Sequence, residues 1–481
     1  YFVDEVIKAV IKDLSEQKGI SPQTAEDMIY NSGLKIYTTM DPKVQKALDE
    51  VFVDETYFPQ INEEAKRREE IPQAAMVVVD PETGAVCGLY GGYGEKKGSV
   101  FNRATQMKRS PGSSIKPLLV YGPGIETGRL TAGTVIDDVP QHMLLNDMSV
   151  PEKERTKLYP QNVEKKNFGL TTIREGIVES RNVIAALALR DYTSFKVGLN
   201  YLEKVGIPRW DDEGKISIAM GGFTNQMSPL EMASAYTVFA YKGVYWEPYF
   251  YTRVEDVNGN IILEKKPKGT KVYSEQAAFI INDILQDVVA KGTAKGLTVK
   301  NKKGENIPTA GKTGTSDKNI DRWFCGMTPY YVAAAWYGYD NRQVPISLVS
   351  GEYNNAKNIW HAVMIKIHEE LEPKKFFENV PPKIVTREIC MDSGKLATDL
   401  CRQDPRGSRI YTEYFIEGTE PEYGDTCNVH YKAKICTSCK DEHGRPVLAS
   451  EYCPPETVQE RVFIRRPVEY KPLLPTDPYP E

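Results

Sequence analysis

The 481-residue chain has no apolar run of about eighteen residues, so no membrane-spanning helix is expected, and no signal peptide opens it. It has no surplus of basic charge: 61 Lys and Arg stand against 66 Asp and Glu, a net charge of −5. No basic stripe offsets that balance, which argues against a nucleic-acid surface. Histidine is scarce. The five present (His142, His361, His368, His430 and His443) lack metalloprotease spacing, and we read most of them as surface or structural residues. Strand-like and helix-like stretches are mixed without a βαβ repeat, which suggests a sheet flanked by helices. At 41% apolar and 26% charged, the chain has core enough for two to three domains. An opening Tyr1 in place of methionine leads us to expect a piece of a longer protein.

Three short strings stand in order along this chain: Ser113-Ser-Ile-Lys116, Ser180-Arg-Asn182 and Lys312-Thr-Gly-Thr315. Gly112 followed by Ser113 to Tyr121 predicts a turn feeding a helix. Residues three apart share a helix face, which puts Lys116 Nζ within hydrogen-bond reach of Ser113 Oγ. A serine hydroxyl becomes nucleophilic when a neighbouring base takes its proton, and lysine can serve only if its pKa falls well below ~10.4. The helix dipole and a second cation, Lys312, both push in that direction. Pro117 at the edge of the first turn costs at most one ladder bond. The Lys312 string reads as a strand opening into a loop. Alternation puts Thr313 and Thr315 on one face, where two hydroxyls and a nearby ammonium suit a carboxylate. Gly314 leaves room for a substrate backbone to pair with that strand. Ser180-Arg-Asn182 precedes the apolar run Val183–Leu189 and reads as a helix start. Ser180 is then either a plain cap or, beside the other two strings, a proton relay, with Asn182 as a substrate-orienting amide.

Longer strings extend the pattern. Arg109-Ser-Pro-Gly-Ser-Ser-Ile-Lys-Pro117 is similar to R-x-P-G-S-S-F-K-P of class A penicillin-binding proteins. Lys312-Thr-Gly-Thr315 with Asp321-Arg-Trp-Phe-Cys-Gly-Met-Thr-Pro329 resembles their K-T-G-T followed by D-x-W-F-x-G-Y-T-P. Leu34–Pro42, Met220-Gly-Gly-Phe223 and Ser228–Tyr236 are further points of likeness, so the resemblance covers residues 34 to 360. It implies a mixed α/β, β-lactamase-like (penicilloyl-serine transferase) fold with a central antiparallel sheet. It also implies a D,D-transpeptidase that crosslinks peptidoglycan stem peptides ending in D-Ala-D-Ala and is inhibited by β-lactams.

The resemblance assigns roles to residues. Ser113 is the nucleophile, Lys116 its base and Ser180 the relay; Asn182 and Lys312 complete the catalytic set. Lys312, Thr313 and Thr315 hold the substrate carboxylate, and the backbone N–H groups of Ser113 and Thr315 form the oxyanion hole. No cofactor or metal is assigned to that chemistry. Membrane attachment, at the outer face of the bacterial cell membrane, is expected only through a segment preceding this one. One departure is Gly122-Pro-Gly124, where relatives continue the nucleophile helix with alanines, so a break is expected there. The alternatives are a D,D-carboxypeptidase, a serine β-lactamase or a non-catalytic β-lactam-binding scaffold. Class A lactamases add E-x-x-L-N, and none occurs between Asn182 and Lys312.

Three regions follow: a linker-like segment over 1–70, a transpeptidase region over 71–370, and a Cys-rich accessory region with a Pro-rich tail over 371–481. Residues 3–17 put Val3, Val6, Ile7, Val10, Ile11 and Leu14 on one helix face, Ser21-Pro22 starts a second helix closed by Gly33, and Asp41-Pro42 caps a third. Residues 74–80 and 85–90 flank Pro81-Glu-Thr-Gly84 as a hairpin, Tyr331–Gly338 is expected as the strand after the Lys312 strand, and residues 138–168 as a solvated surface near the site.

Six of the eight cysteines follow residue 385, in a weak repeat: Ile389-Cys through Leu396-Ala to Cys401 is echoed by Ile435-Cys through Leu448-Ala to Cys453. The repeat suggests Cys390–Cys401 and Cys436–Cys453 disulfides, leaving Cys427 to pair with Cys439. The rival is a zinc set of Cys427, His430, Cys436 and Cys439. Cys87 and Cys325, in apolar strand contexts, are expected as buried free thiols.

Overall fold

The computed structural model describes all residues except 60–61, 99, 142–158, 209–210, 348–354, 443 and 466–481. Its centre is built from the most apolar strand stretches: Gln73–Val79 (β1), Val86–Tyr90 (β2), Ala310–Thr315 (β3), Asp321–Met327 (β4) and Val332–Gly338 (β5). They lie in the order β3-β4-β5-β1-β2, antiparallel throughout, with β3 at one edge. The expected hairpin is β1–β2, its turn closed by Gly84 N–H donating to Asp80 O at 2.9 Å. Strand β4 intervenes between the Lys312 strand and Tyr331–Gly338, so the latter is not the next strand after it. Its opening Asp321-Arg322 hides it from a hydrophobic pattern, although all seven of its residues are buried.

Burial on both faces requires a helix layer on each. Helices Pro229–Ala240 and Glu275–Ala290 pack together on one side, and Pro42–Val53 and Asn355–His368 on the other. The pleat explains the division: Met327 meets Asn282 of the first pair, while the adjacent Gly326 would place a Cβ 2.6 Å from Trp360 of the second. The opening helix Phe2–Lys18 buries Phe2, Val6, Val10 and Leu14, and Val3 is exposed instead of joining that face. Ser21 and Asp41 cap the next two helices as expected. No helix among the described residues is long and apolar enough to cross a membrane.

Beyond the main core, Ile384–Cys390 (β6) pairs with Ile410–Ile416 (β7), and His430–Lys440 (β8) lies between Pro446–Leu448 (β9) and Val458–Ile464 (β10). The buried Arg174 guanidinium docks this module. It donates to Glu413 Oε1 and Oε2 at 2.6 and 2.7 Å, to Asp287 at 2.8 Å and to Asp283 at 2.7 Å. Cys87 and Cys325 are buried free thiols, and His368 is buried with Nε2 2.8 Å from Thr328 Oγ1. His142 and His443 lie outside the described residues, as does most of the polar stretch 138–168.

Candidate active site

The segment carrying Ser113 is a broken rod. Gly112–Ile115 is a 3-10 turn, Pro117–Tyr121 a π turn and Gly122–Glu126 an α turn. Pro123 has no N–H to continue an α ladder, and Gly122 N–H reaches back five residues to Pro117 O. The expected break thus takes the form of changes in helix type along the segment. Glycine is needed at 112, where φ is 54° and a Cβ would stand 2.2 Å from Thr315 O. That close approach brings the Ser113 turn against β3. Gly314 is tight as well: a Cβ there would lie 2.3 Å from Pro111 O, so its missing side chain admits the serine turn and not only a substrate.

The turn is anchored from below. Trp323 Nε1 donates to Ser110 O at 2.7 Å, and the buried Arg109 donates to Tyr339 O at 2.6 Å and Asp340 O at 2.8 Å, stacked over Trp336. Asp321 lies 3.6 Å from Arg109 and accepts from Trp336 Nε1 at 2.9 Å and Ser316 Oγ at 2.8 Å. Arg109, Asp321 and Trp323 belong to the quoted strings, but their roles are not legible there, because their partners come from distant segments.

Ser113 is half-buried, while Lys116 and Lys312 are both 0% exposed. Lys116 Nζ donates to Ser180 O and Asn182 Oδ1, each at 2.8 Å, and to Arg181 O at 3.3 Å. No hydrogen bond joins it to Ser113 Oγ, contrary to expectation, because a buried ammonium with three donors takes three fixed acceptors. Burial pushes the pKa of Lys116 well below the usual lysine value, and the neighbouring Lys312 charge pushes it further. Lys312 is itself lowered to about 7 by burial. Its Nζ donates to Ser180 Oγ at 2.7 Å and to Thr313 O at 3.3 Å.

Ser180 is not the helix cap. The helix starts at Asn182 after Arg181, and Ser180 takes a left-handed backbone (φ 59°) that sets its carbonyl against Lys116 and its hydroxyl against Lys312. A non-glycine residue in that region costs on the order of 1 kcal/mol, held here by the surrounding contacts. Asn182 uses both ends of its amide: Oδ1 accepts from Lys116, and Nδ2 donates to Gln161 O at 2.9 Å. Asn162 accepts from Asn182 N–H at 2.8 Å and donates to the buried Asp138 at 2.7 Å. Burial raises Asp138 to about 6. This network corrects the reading of the described ends of 138–168 as solvated surface. Thr313 Oγ1 lies 2.8 Å from Thr293 Oγ1, and Thr315 Oγ1 accepts from Arg322.

The cysteines fall into two groups, Cys390, Cys401, Cys427 with His430, and Cys436, Cys439 with Cys453. All eight thiols are free. The residues of the expected Cys390–Cys401 and Cys436–Cys453 bridges do come together. Cys427 and Cys439 do not, and the zinc set Cys427, His430, Cys436 and Cys439 is split likewise. Strand β8 is extended, and at about 3.3 Å per residue it carries Cys436 and Cys439 far from His430.

Residues 74–364 match the family described as penicillin binding protein transpeptidase domain, and residues 380–432 match penicillin-binding protein 1A, C-terminal domain. The chain is 36% identical over 479 residues to penicillin-binding protein 1A of Clostridium botulinum (strain Langeland), covering 98% of this chain and 54% of that protein. It is 30% identical to penicillin-binding protein 1A/1B of Bacillus subtilis, over 86% of this chain and 43% of that protein. The chain therefore spans about half the length of these curated relatives. Among solved structures, penicillin-binding protein 1A from Haemophilus influenzae superposes with a TM-score of 0.67 at 22% identity, covering 86% of this chain and 76% of that one. The PonA1 protein from Mycobacterium tuberculosis, solved in complex with penicillin V, gives 0.63 at 23% identity, over 79% and 99%. Both show the same fold.

Proposed function

The chain belongs to the penicillin-binding protein transpeptidase domain family, and from that premise we propose that it is a serine D,D-transpeptidase, crosslinking peptidoglycan stem peptides through an ester on Ser113. One observation carries the reading: two fully buried lysines, one lowered well below its usual pKa and the other to about 7, converge on Ser180 beside the Ser113 turn. That is the electrostatic arrangement a lysine general base needs at neutral pH.

Neutral Lys116 takes the proton of Ser113 Oγ as that oxygen attacks the carbonyl of the penultimate D-Ala. A neutral amine has two hydrogens and one lone pair, so Nζ exchanges one of its three present acceptors for Ser113 Oγ. The backbone N–H groups of Ser113 and Thr315, on segments in van der Waals contact, stabilise the oxyanion. The terminal D-Ala leaves as an amine, receiving its proton through Ser180, while Lys312, Thr313 and Thr315 hold its carboxylate. The amine of a second stem peptide then attacks the ester, releases Ser113 and forms the crosslink. Edge strand β3 gives the peptide a backbone to pair with. A β-lactam, which presents the same carbonyl and carboxylate, acylates the same serine, and a segment preceding this one tethers the protein at the outer face of the cell membrane.

Fluorescent penicillin should label the chain covalently, with the adduct mapping to Ser113, and Ser113→Ala should abolish labelling while the circular dichroism spectrum stays unchanged. Labelling that persists on another serine would overturn the assignment. With no E-x-x-L-N glutamate, the adduct should last many minutes to hours; rapid repeated turnover of nitrocefin would make the chain a lactamase.

A further inference from the structure

The chemistry above makes no use of the C-terminal cysteines, and they are not scattered. We propose that Cys390, Cys401, Cys427 and His430 form a tetrahedral Cys3His site for a zinc ion that holds the C-terminal module together. The three sulfurs and one imidazole nitrogen all lie within 4.8 Å of one another. His430 Nδ1 stands 3.5 Å from Cys390 Sγ and 3.4 Å from Cys427 Sγ. Around zinc, with Zn–S of ~2.3 Å and Zn–N of ~2.0 Å at tetrahedral angles, sulfur and nitrogen ligands sit about 3.6 Å apart. The two Sγ–Nδ1 separations match such edges, and the remaining donor pairs lie within 4.8 Å.

The surroundings orient the donors. His430 Nε2 lies 2.8 Å from Asp404 Oδ2. An ionised carboxylate only accepts, so Nε2 carries the hydrogen and Nδ1 turns its lone pair toward the sulfurs. Asp404 is fixed in turn by the backbone N–H of Arg406 at 2.8 Å and its guanidinium at 2.9 Å. Backbone N–H groups point at two sulfurs: Asp392 at Cys390 Sγ and Thr398 at Cys401 Sγ, each at 3.4 Å, as suits thiolates.

The four ligands come from the end of β6, the short helix Asp399–Arg402, the loop after Thr426 and the start of β8. One ion would therefore tie both small sheets of the module to each other. The buried apolar residues Ile389, Phe415, Ile435 and Val462 lie outside the main hydrophobic cluster, so the module has little core of its own. A structural zinc contributes folding free energy to such a unit directly. A Cys390–Cys401 disulfide would draw two sulfurs to ~2.05 Å and leave Cys427 Sγ and His430 Nδ1, 3.4 Å apart, as a lone thiol–imidazole pair, whereas zinc engages all four donors together. The second group repeats part of the device, Ser450 N–H pointing at Cys453 Sγ at 3.3 Å, but brings only three sulfurs together among the described residues, and the proposal is confined to the first.

The test uses the whole chain with Cys436, Cys439 and Cys453 all changed to Ser, so that only the four-ligand set remains. It should purify with one zinc per chain by mass spectrometry of the metal, and cobalt exchange should give the visible absorption of a tetrahedral thiolate site. Adding Cys401→Ser should remove the metal, and Asp404→Asn should weaken it by ~10- to 100-fold. In the wild-type chain, Cys390, Cys401 and Cys427 should resist maleimide until a chelator is added, as read by peptide mapping. That map decides the question even if the serine variants fail to fold. Free labelling of these three without chelator, or a bridged Cys390–Cys401 peptide from unreduced protein, would overturn the site. Neither readout depends on acylation of Ser113.

Discussion

The two lysines beside the central sheet and three carboxylates of the C-terminal module are all buried, but by opposite means. Beside β3, Lys116 and Lys312 are both 0% exposed next to the main hydrophobic core, and burial is the largest cause of both lowered pKa values. In the module, Asp392, Asp404 and Glu413 are equally buried but each meets a guanidinium: Arg409 and Arg406 for Asp392, Arg406 for Asp404, and Arg174 for Glu413. A large core can desolvate a charge and so tune it, whereas a small one must neutralise what it encloses. The proposed nucleophile and base accordingly sit in the first region, and the proposed zinc ligands in the second.

The comparison breaks most readily at the large core. Trp336→Ala should cost about 3–5 kcal/mol in denaturant unfolding of the sheet region, the scale for deleting a buried indole. The maleimide protection of Cys390, Cys401 and Cys427 should survive it; loss of both together would mean that the two regions fold as one unit. Lys116→Ala should slow penicillin acylation by at least ~10²-fold while the maleimide protection of the module cysteines stays unchanged. Near wild-type acylation would move the base elsewhere.

A smaller effect concerns pH. Lys312, lowered to about 7, is neutral in the fold over a range where the unfolded chain still binds the proton. Its contribution to stability is therefore complete above the ordinary lysine pKa and is lost as pH falls toward 7. Relative to Lys312→Met, the wild-type chain should gain stability between pH 7 and 10, by at most about 1.4 kcal/mol per unit. A flat difference across that window would mean that Lys312 is charged in the fold. Least of all should come from Lys432→Ala on the module surface. Its 2.6 Å pair with Glu460 is about half exposed, and no change in melting temperature is expected.

Much of this protein was fixed by local chemistry and could be read in its sequence. Caps at Ser21 and Asp41, the β1–β2 turn and the break at Gly122-Pro-Gly124 follow from residues a few positions apart, whose steric and hydrogen-bonding rules do not depend on the rest of the chain. The strings at Ser113, Ser180 and Lys312 were legible because their residue types are dictated by the chemistry proposed for them. Tertiary structure alone decided what those residues touch: that Lys116 rests on Ser180, Arg181 and Asn182 and not on Ser113, that Gly314 admits Pro111, and that Ser180 faces two lysines through a left-handed backbone. It also placed β4 between the Lys312 strand and Tyr331–Gly338, because Asp321 is neutralised by Arg109 from two hundred residues away. The cysteines show the limit most clearly. Their repeat was visible, but strand β8 carries Cys436 and Cys439 away from His430, and no spacing along the chain encodes how far an extended strand travels before it turns.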